Sequence, residues 1–373
     1  MWWKTLLRLW RGALGSSRLT SASRRPRLRL TLEALEDRTV PSSYTAATVP
    51  ELIATIDAAN LTPEADTIAL VAGRTFTLTK VNNTTNGSTG LPTIAANEDL
   101  TIVGNGDIIE RSTATGTPAF RLFGVAAGAS LRQENLTLQG GLAFGSGVSA
   151  NGGAIYNEGT LDLVGVTVRN NTAEGARGGR NRPGASAAGA GIFSSGALTV
   201  QGGTIQNNHA LGGRGGDGFN PREGRAPGRK GGDAFGGGLY IGGGTVLLTG
   251  VTLSANTAQG GNGGDGQKLS GNEGGSGGNG GDGLGGGLYA AAGSIEMHSV
   301  TVKTNTAQGG AGGKRGGSGS LRKDGSPGRG VGGGLYIDTA ALACLDAFTV
   351  DHVKRNNAST SDPNIHGSYT ICP

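Results

Sequence analysis

The chain has 373 residues, of which 74 are glycine and only 5% are aromatic, so it has too few large side chains to fill a wide globular core. Its net charge of +5 belongs to residues 1–32, which hold eight basic residues and no acidic one, while the remainder has 24 basic against 27 acidic groups, a net charge of −3. The composition therefore gives no general case for nucleic-acid binding, and no run of about 18 apolar residues predicts a transmembrane helix.

The first 43 residues are predicted to be a basic leader outside the fold. Residues 1–15 place leucines and tryptophans on one helical face and basic residues on the other. This pattern is typical of a membrane-surface amphipath or the start of an export leader, and a disordered basic tail is the alternative. The leader contains the phrase Leu-Glu-Ala-Leu-Glu-Asp-Arg at residues 32–38.

The folded part, residues 44–373, is predicted to start with a short capping helix. Residues 49–60 show helical apolar spacing after a proline. Short runs with the alternation of strands follow at residues 66–70, 75–78 and 99–104.

Five copies of one glycine-rich phrase dominate the rest of the chain, at residues 152–156, 189–193, 236–240, 285–289 and 332–336. The first four are each followed by two short alternating strands and then by asparagine. Such recurrence predicts stacked repeats in which each strand pairs with its equivalent in the next coil. The predicted fold is therefore all-β, a single-stranded parallel β-helix with three strands per coil. The asparagines should form an amide ladder along the stack.

Four glycine-rich inserts interrupt the coils, at residues 174–188, 210–235, 259–284 and 308–331. Each leaves its coil after the asparagine, so all should project from one side. Their Gly-Gly-x rhythm fits polyproline-II-like helices packed side by side, but so much glycine costs folding entropy. We therefore expect loops that are disordered or partly ordered. The inserts at residues 210–235 and 308–331 each hold five basic residues, against three and one acidic residues, which would suit acidic glycans, although we expect these charges mainly to keep the loops soluble.

Aromatic side chains recur inside the repeated phrase, at Tyr156, Phe193, Tyr240, Tyr289 and Tyr336. They could form an exposed sugar-stacking stripe. We expect instead an aromatic stack that points inward and fills the coil.

Both cysteines, Cys344 and Cys372, lie near the end of the chain. Their separation of 28 residues is close to one coil, so the two could lie on neighbouring layers about 4.8 Å apart and form a disulfide in an oxidising compartment. Two buried free thiols are the alternative.

The order of these phrases resembles a known class of proteins. The run from residues 65–68 through 99–104, 120–123 and 153–157 to 166–168 resembles bacterial right-handed β-helix surface proteins of the pectate-lyase-like superfamily, with polymorphic-outer-membrane-protein-type repeats. The similarity covers about residues 45–373, and residues 32–42 resemble a motif near the start of exported proteins in some bacteria. The resemblance implies a right-handed helix and a secreted or cell-surface location, and it implies no activity.

Catalytic residues are not evident. Asp162, Thr199, Leu247 and Glu296 occupy one outward strand position, which would put the two acids three coils apart, on the order of 14 Å. No Ser-His-Asp or metal-ligand spacing appears, so we expect neither a catalytic site nor a cofactor. Calcium stays open, because Gly-Gly-x-Gly-x-Asp motifs end at Asp217, Asp265 and Asp282.

The sequence thus predicts a non-catalytic, exported protein with a structural or adhesive role at the cell surface. Its partner is not specified; an envelope polysaccharide or another surface protein would fit. The alternatives are a polysaccharide lyase or hydrolase, and a calcium-stabilised binding module.

Overall fold

The computed structural model describes residues 41–62, 64–145, 149–220, 225–269, 274–317 and 322–372. The predicted leader lies outside the described residues apart from residues 41–43. The described chain forms five sheets in which every strand pairs in parallel with its equivalent one coil away, together with the helices Val49–Ala59 and Ala347–His352.

The five sheets are named here in the order in which a coil visits them. Sheet 1 contains Ser43–Ala46, Ala65–Leu70, Asp99–Val103, Ser130–Glu134, Thr160–Val164, Ala197–Gln201, Thr245–Thr249, Gly293–His298, Ala341–Leu345 and Thr370–Ile371. Sheet 2 contains Thr75–Leu78, Ile108–Arg111, Thr137–Gln139, Thr167–Arg169, Thr204–Gln206, Thr252–Ser254, Thr301–Lys303 and Val353–Lys354. Sheet 3 contains Leu142–Gly145, Thr172–Gly175, His209–Leu211, Thr257–Gln259, Thr306–Gln308 and Asn357–Ala358. Sheet 4 contains Ala150–Asn151, Ala187–Ala188, Ala234–Phe235, Gly283–Leu284 and Gly330–Val331. Sheet 5 contains Phe123–Val125, Ile155–Asn157, Ile192–Ser194, Leu239–Ile241, Leu288–Ala290, Leu335–Ile337 and Ile365–His366.

The stacking confirms the predicted all-β parallel solenoid. Leu161 is in register with Leu198, and the same column continues through the following coils, so like residues lie on like. The prediction of three strands per coil is wrong, because sheets 3 and 4 add two. Their strands are only two to four residues long and rich in alanine and glycine, so they carry little strand signal in the sequence.

The core runs along the inside of the coils. Most inward positions of sheet 1 hold leucine, isoleucine or valine, as in Leu161 and Leu163, which are fully buried. The exceptions include Asp66, Gln133 and Met297, which are buried as well. Between sheets 3 and 4 the interior is narrower, and the buried cluster there consists of alanine side chains. Only small side chains fit there, at the place where the chain leaves the coil for the inserts.

The predicted asparagine ladder is confirmed. Asn171, Asn208, Asn256 and Asn305 are fully buried. Each Nδ2 donates to the Oδ1 of the next asparagine, at 3.0 Å from Asn208 to Asn256 and 2.9 Å from Asn256 to Asn305. Each Nδ2 also donates to a carbonyl of the preceding coil. Each Oδ1 accepts a backbone N–H of the preceding coil, which belongs to Gly141 for Asn171 and to the preceding asparagine for the other three. The ladder therefore satisfies every side-chain polar atom in a place without water.

The helix Val49–Ala59 forms where the sequence predicts one. Thr48 is its N-cap and accepts the N–H of Glu51 at 3.4 Å, and a proline occupies its first turn. Its buried residues Leu52 and Ile56 join the core, and the helix packs against the first two strands of sheet 1.

Candidate functional site

The four inserts form an ordered bundle, so the expectation of disordered or partly ordered loops is wrong over the described residues. As predicted, every insert leaves its coil at the same place, between sheets 3 and 4. Each runs outward and then back. We call residues 175–180, 212–218, 260–266 and 309–316 the outgoing arms, and residues 183–188, 226–234, 275–283 and 323–331 the return arms.

Backbone hydrogen bonds join these arms with a period of three residues. Gly215 and Gly218 each donate at 2.8 Å to a carbonyl of the next outgoing arm, and Gly212 donates at 2.8 Å to the carbonyl of the residue just before that arm. The glycine that follows in each triplet donates to the other layer instead, as Gly213 does to Ala185 at 2.8 Å. Three residues per turn and bonds only to neighbours are typical of packed polyproline-II helices, so the outgoing and return arms form the two layers of one bundle.

The Gly-Gly-x rhythm follows from how closely the arms approach one another. A methyl carbon added to Gly260 would lie 2.0 Å from the carbonyl oxygen of Gly281 in the other layer, and one added to Gly261 would lie 2.0 Å from that of Gly213 in the neighbouring arm. Where another arm lies alongside, as at Gly260 and Gly261, two of every three positions are therefore closed to any side chain. The third position, x, faces outward and accepts one.

The x side chains form a second ladder that the sequence analysis missed. Asp217 Oδ1 accepts the backbone N–H of Asp265 at 2.9 Å, and Asp265 Oδ1 accepts that of Lys314 at 2.7 Å. On the return arms, Asp282 Oδ1 likewise accepts the N–H of Arg329 at 2.7 Å. The outward N–H of an x residue thus donates to the side-chain oxygen of the x residue in the preceding arm. This explains why aspartate and asparagine, which offer such an oxygen, recur at x. The sequence signal for this ladder is the alignment of successive inserts, which places Asp217, Asp265 and Lys314 at equivalent positions.

The three calcium candidates do not converge on one point. Asp217 and Asp265 are neighbours on the outgoing arms, and Asp282 lies on a return arm. Arg214 bridges the first two carboxylates at 2.8 and 3.1 Å. Partial burial alone would raise the pKa of Asp217, but the N–H of Asp265 and the guanidinium of Arg214 hold it below its usual value.

Over the described ranges there is no cluster of three or more His, Cys, Asp or Glu side chains that could hold a metal ion. Calcium binding stays a prediction.

Charge is segregated between the inserts and the coils. The four inserts hold 14 basic and 8 acidic residues, a net charge of +6. The rest of residues 33–373 holds 10 basic and 19 acidic residues, a net charge of −9. The small net charge of residues 33–373 is therefore the sum of a positively charged bundle and a negatively charged solenoid.

The outer faces of the bundle present these charges in a regular pattern. Along one arm the x side chains repeat about every 9 Å, and between arms they follow the spacing of the coils, about 4.8 Å. Lys314, Arg329 and Arg177 expose 77%, 65% and 60% of their side chains. A shallow groove of about 360 Å³ lies on the outgoing face between Arg177 and Arg214.

The aromatic column lies on the outside of sheet 5, so the prediction of an inward stack is wrong. In Ile155–Asn157, the isoleucine and the asparagine are buried and Tyr156 between them is half-buried. Successive rings stack with centroids 4.9–5.5 Å apart. The faces that would stack on a sugar are therefore covered by neighbouring rings, and mainly the edges remain.

The remaining predicted residues are placed as follows. The sulfur atoms of Cys344 and Cys372 are bonded, with Cα atoms 5.3 Å apart. Asp162 and Glu296 lie in one column of sheet 1 with two residues between them, as the spacing predicts. Among the described residues, no helix has the length and hydropathy needed to cross a membrane.

No protein-family profile matches the chain, and neither the curated proteins nor the solved structures with which it was compared show significant similarity.

Proposed function

We propose that this chain is a non-catalytic, exported bacterial surface protein with a structural or adhesive role, and that the outer faces of its glycine bundle bind an anionic envelope polysaccharide. The observation that carries the proposal is the bundle itself, which presents basic side chains at x positions on rigid arms. The inserts have a net charge of +6, whereas the rest of the body has −9.

Rigidity matters because binding to a long polymer relies on many weak contacts. A side chain on a flexible loop loses conformational entropy each time it is fixed by a ligand. Here the arms are already fixed by hydrogen bonds within and between layers. Repeated charges on a polymer would therefore contact repeated side chains without the entropy cost of ordering the backbone. Avidity would come from the number of these contacts.

Handedness and placement belong to the same proposal. Connections between parallel strands of one sheet are right-handed in most proteins, and the phrases between residues 65 and 168 resemble right-handed surface proteins. An oxidising location is consistent with the bond between Cys344 and Cys372. Catalysis is less well supported, since Thr199 and Leu247 lie between Asp162 and Glu296.

The test is binding of the purified protein to immobilised alginate, polygalacturonate and hyaluronan, with neutral dextran as the reference polymer, at about 50 and 300 mM salt. We expect binding to at least one anionic polymer, weakened at high salt, and none to dextran. Changing Arg177, Lys314, Lys323 and Arg329 to Gln should weaken binding more than tenfold.

The matched control removes four exposed basic residues away from the bundle, in or beside sheet 2: Arg74, Lys80, Lys303 and Lys354. We expect less than a twofold change. Equal losses in both variants would show that only net charge matters. Absence of binding to any anionic polymer would refute the proposal.

A further inference from the structure

A second feature, away from the bundle, also points to a ligand. A cavity of about 390 Å³ lies at the N-terminal start of sheets 3 and 4. Its walls include Asn86, Ser88, Arg121, Leu142, Phe144 and Ser149. This volume is within the range of pockets for small organic molecules.

Arg121 is the charged group of this cavity, and it is 6% exposed. Its Nε donates to the Gly152 carbonyl at 3.3 Å, one Nη to the Asn151 carbonyl at 3.0 Å, and the other Nη to the carbonyl of Asn86. A guanidinium has five N–H donors, so two are left over. All three acceptors are neutral carbonyls, so among the described residues no carboxylate is hydrogen-bonded to this guanidinium.

The charge of one carboxylate, Glu158, acts on Arg121 without forming an ion pair with it. Among the described residues, Glu158 is the only carboxylate close enough to affect the pKa of Arg121. Its oxygens are bonded to the Tyr156 hydroxyl at 3.1 Å and to Asn86 Nδ2 at 2.7 Å. The Tyr156 ring lies 4.9 Å from the guanidinium carbon and gives it a cation–π contact only. Burial lowers the pKa of Arg121 to about 10.

Another part of the cavity wall is suited to an apolar or ring-shaped body. Phe144 is 52% exposed and is one of the few large apolar side chains on the surface. The hydroxyl groups of Ser88 and Ser149 add polar contacts beside it. The cavity thus joins a buried cation, an exposed aromatic ring and hydroxyls within the space of one small molecule.

We propose that this cavity binds a ring-sized organic carboxylate, with the anionic group on the free N–H donors of Arg121 and the ring against Phe144. A carboxylate is the natural partner, because a guanidinium can donate two parallel hydrogen bonds to it. Binding would compensate a buried charge that is otherwise costly. The site does not depend on the basic faces of the bundle.

The experiment is calorimetric titration of the full chain with two acids and their neutral counterparts. Glucuronate is compared with glucose, and benzoate with benzamide, so the two pairs distinguish a sugar acid from an aromatic acid. We expect one acid to bind at least tenfold more tightly than its neutral partner. Inorganic phosphate serves as the probe for the anion alone, and phosphate binding as tightly as both acids would overturn the role of the ring.

The informative variant is Phe144→Ala, because an exposed ring can be removed without loss of folding. It should weaken binding of the preferred acid about tenfold, whereas Phe348→Ala, an exposed phenylalanine elsewhere, should change it less than twofold. Arg121→Lys keeps the charge but loses the paired donors, and should abolish the preference for the acid. Equal affinity for acids and neutral analogues, or no effect of Phe144→Ala, would overturn the proposal. Polymer binding by the bundle is measured separately, so either proposal can fail alone.

Discussion

A methyl group placed on Gly264 is the most direct test of the bundle. Its carbon would lie 2.0 Å from the carbonyl oxygen of Gly216 in the neighbouring outgoing arm. Real contacts of this kind are rarely closer than about 3.0 Å, so the two arms must separate by about 1 Å. Gly264 also donates to Arg229 at 2.8 Å and accepts from Gly278 at 2.8 Å. Gly264→Ala should therefore break or lengthen two to three backbone hydrogen bonds.

The expected magnitude follows from those bonds. At about 0.5–1.5 kcal/mol each, two to three bonds correspond to about 1–4.5 kcal/mol of local stability. Since about 1.4 kcal/mol corresponds to a factor of ten, protection against amide hydrogen exchange in residues 260–266 should fall roughly 5- to 1,600-fold. Mass spectrometry of peptides from this arm measures the change, and peptides from sheet 1 should be unaffected.

Gly179→Ala is the matched control, since nothing lies within 4 Å of a methyl carbon at that position. Its protection should change by less than about threefold, because ordinary exposed substitutions alter stability by only a few tenths of a kcal/mol. Equal effects of the two variants, or no effect of Gly264→Ala, would refute close packing of the arms.

Two further predictions concern the coils. Asn256→Ala leaves the Nδ2 of Asn208 and other buried groups without partners, so it should lower the free energy of unfolding by about 3–5 kcal/mol. Asn279→Ala removes one exposed hydrogen bond and should lower it by less than about 1 kcal/mol. Urea unfolding followed by circular dichroism measures both, and equal losses would contradict the ladder. Glu98 is 3% exposed, and burial first, then the negative charge of Asp66, raises its pKa from 4.5 to about 7. A raised carboxyl pKa means that the protonated form is favoured in the folded state, so stability is greatest below about pH 4.5 and falls as the pH rises towards 7. Glu98→Gln should match the wild type at pH 4 and exceed it by about 3 kcal/mol at pH 8, and a difference independent of pH would rule this out.

The sequence was sufficient for the repeat and for everything that depends on its spacing. Five copies of one phrase, at intervals of 37, 47, 49 and 47 residues, require like residues to lie on like once the coils stack. This recurrence placed the asparagine ladder correctly and separated Asp162 from Glu296. It also placed the inserts on one side, because each leaves after the same asparagine. These features follow from periodicity alone, and periodicity is a property of the chain.

The direction of the aromatic column depended on tertiary structure. In a strand of three residues, alternation permits either Tyr156 or its two neighbours to face inward. Size and apolar character favoured the tyrosine. The structure buries Ile155 and Asn157 instead, and the buried amide is satisfied by Ser194 and the Ala197 carbonyl of the next coil. Such a partner is invisible in the local sequence.

Whether the inserts are ordered or disordered also depended on tertiary structure, for a related reason. One glycine-rich arm has no internal hydrogen bonds and loses much conformational entropy on folding, so read alone it predicts disorder. Its partners are the carbonyls of other arms, as Gly264 shows by bonding Arg229 of the preceding insert. Order arises only when several inserts lie in register on a rigid solenoid, and the outward x positions that carry the proposed function exist only then.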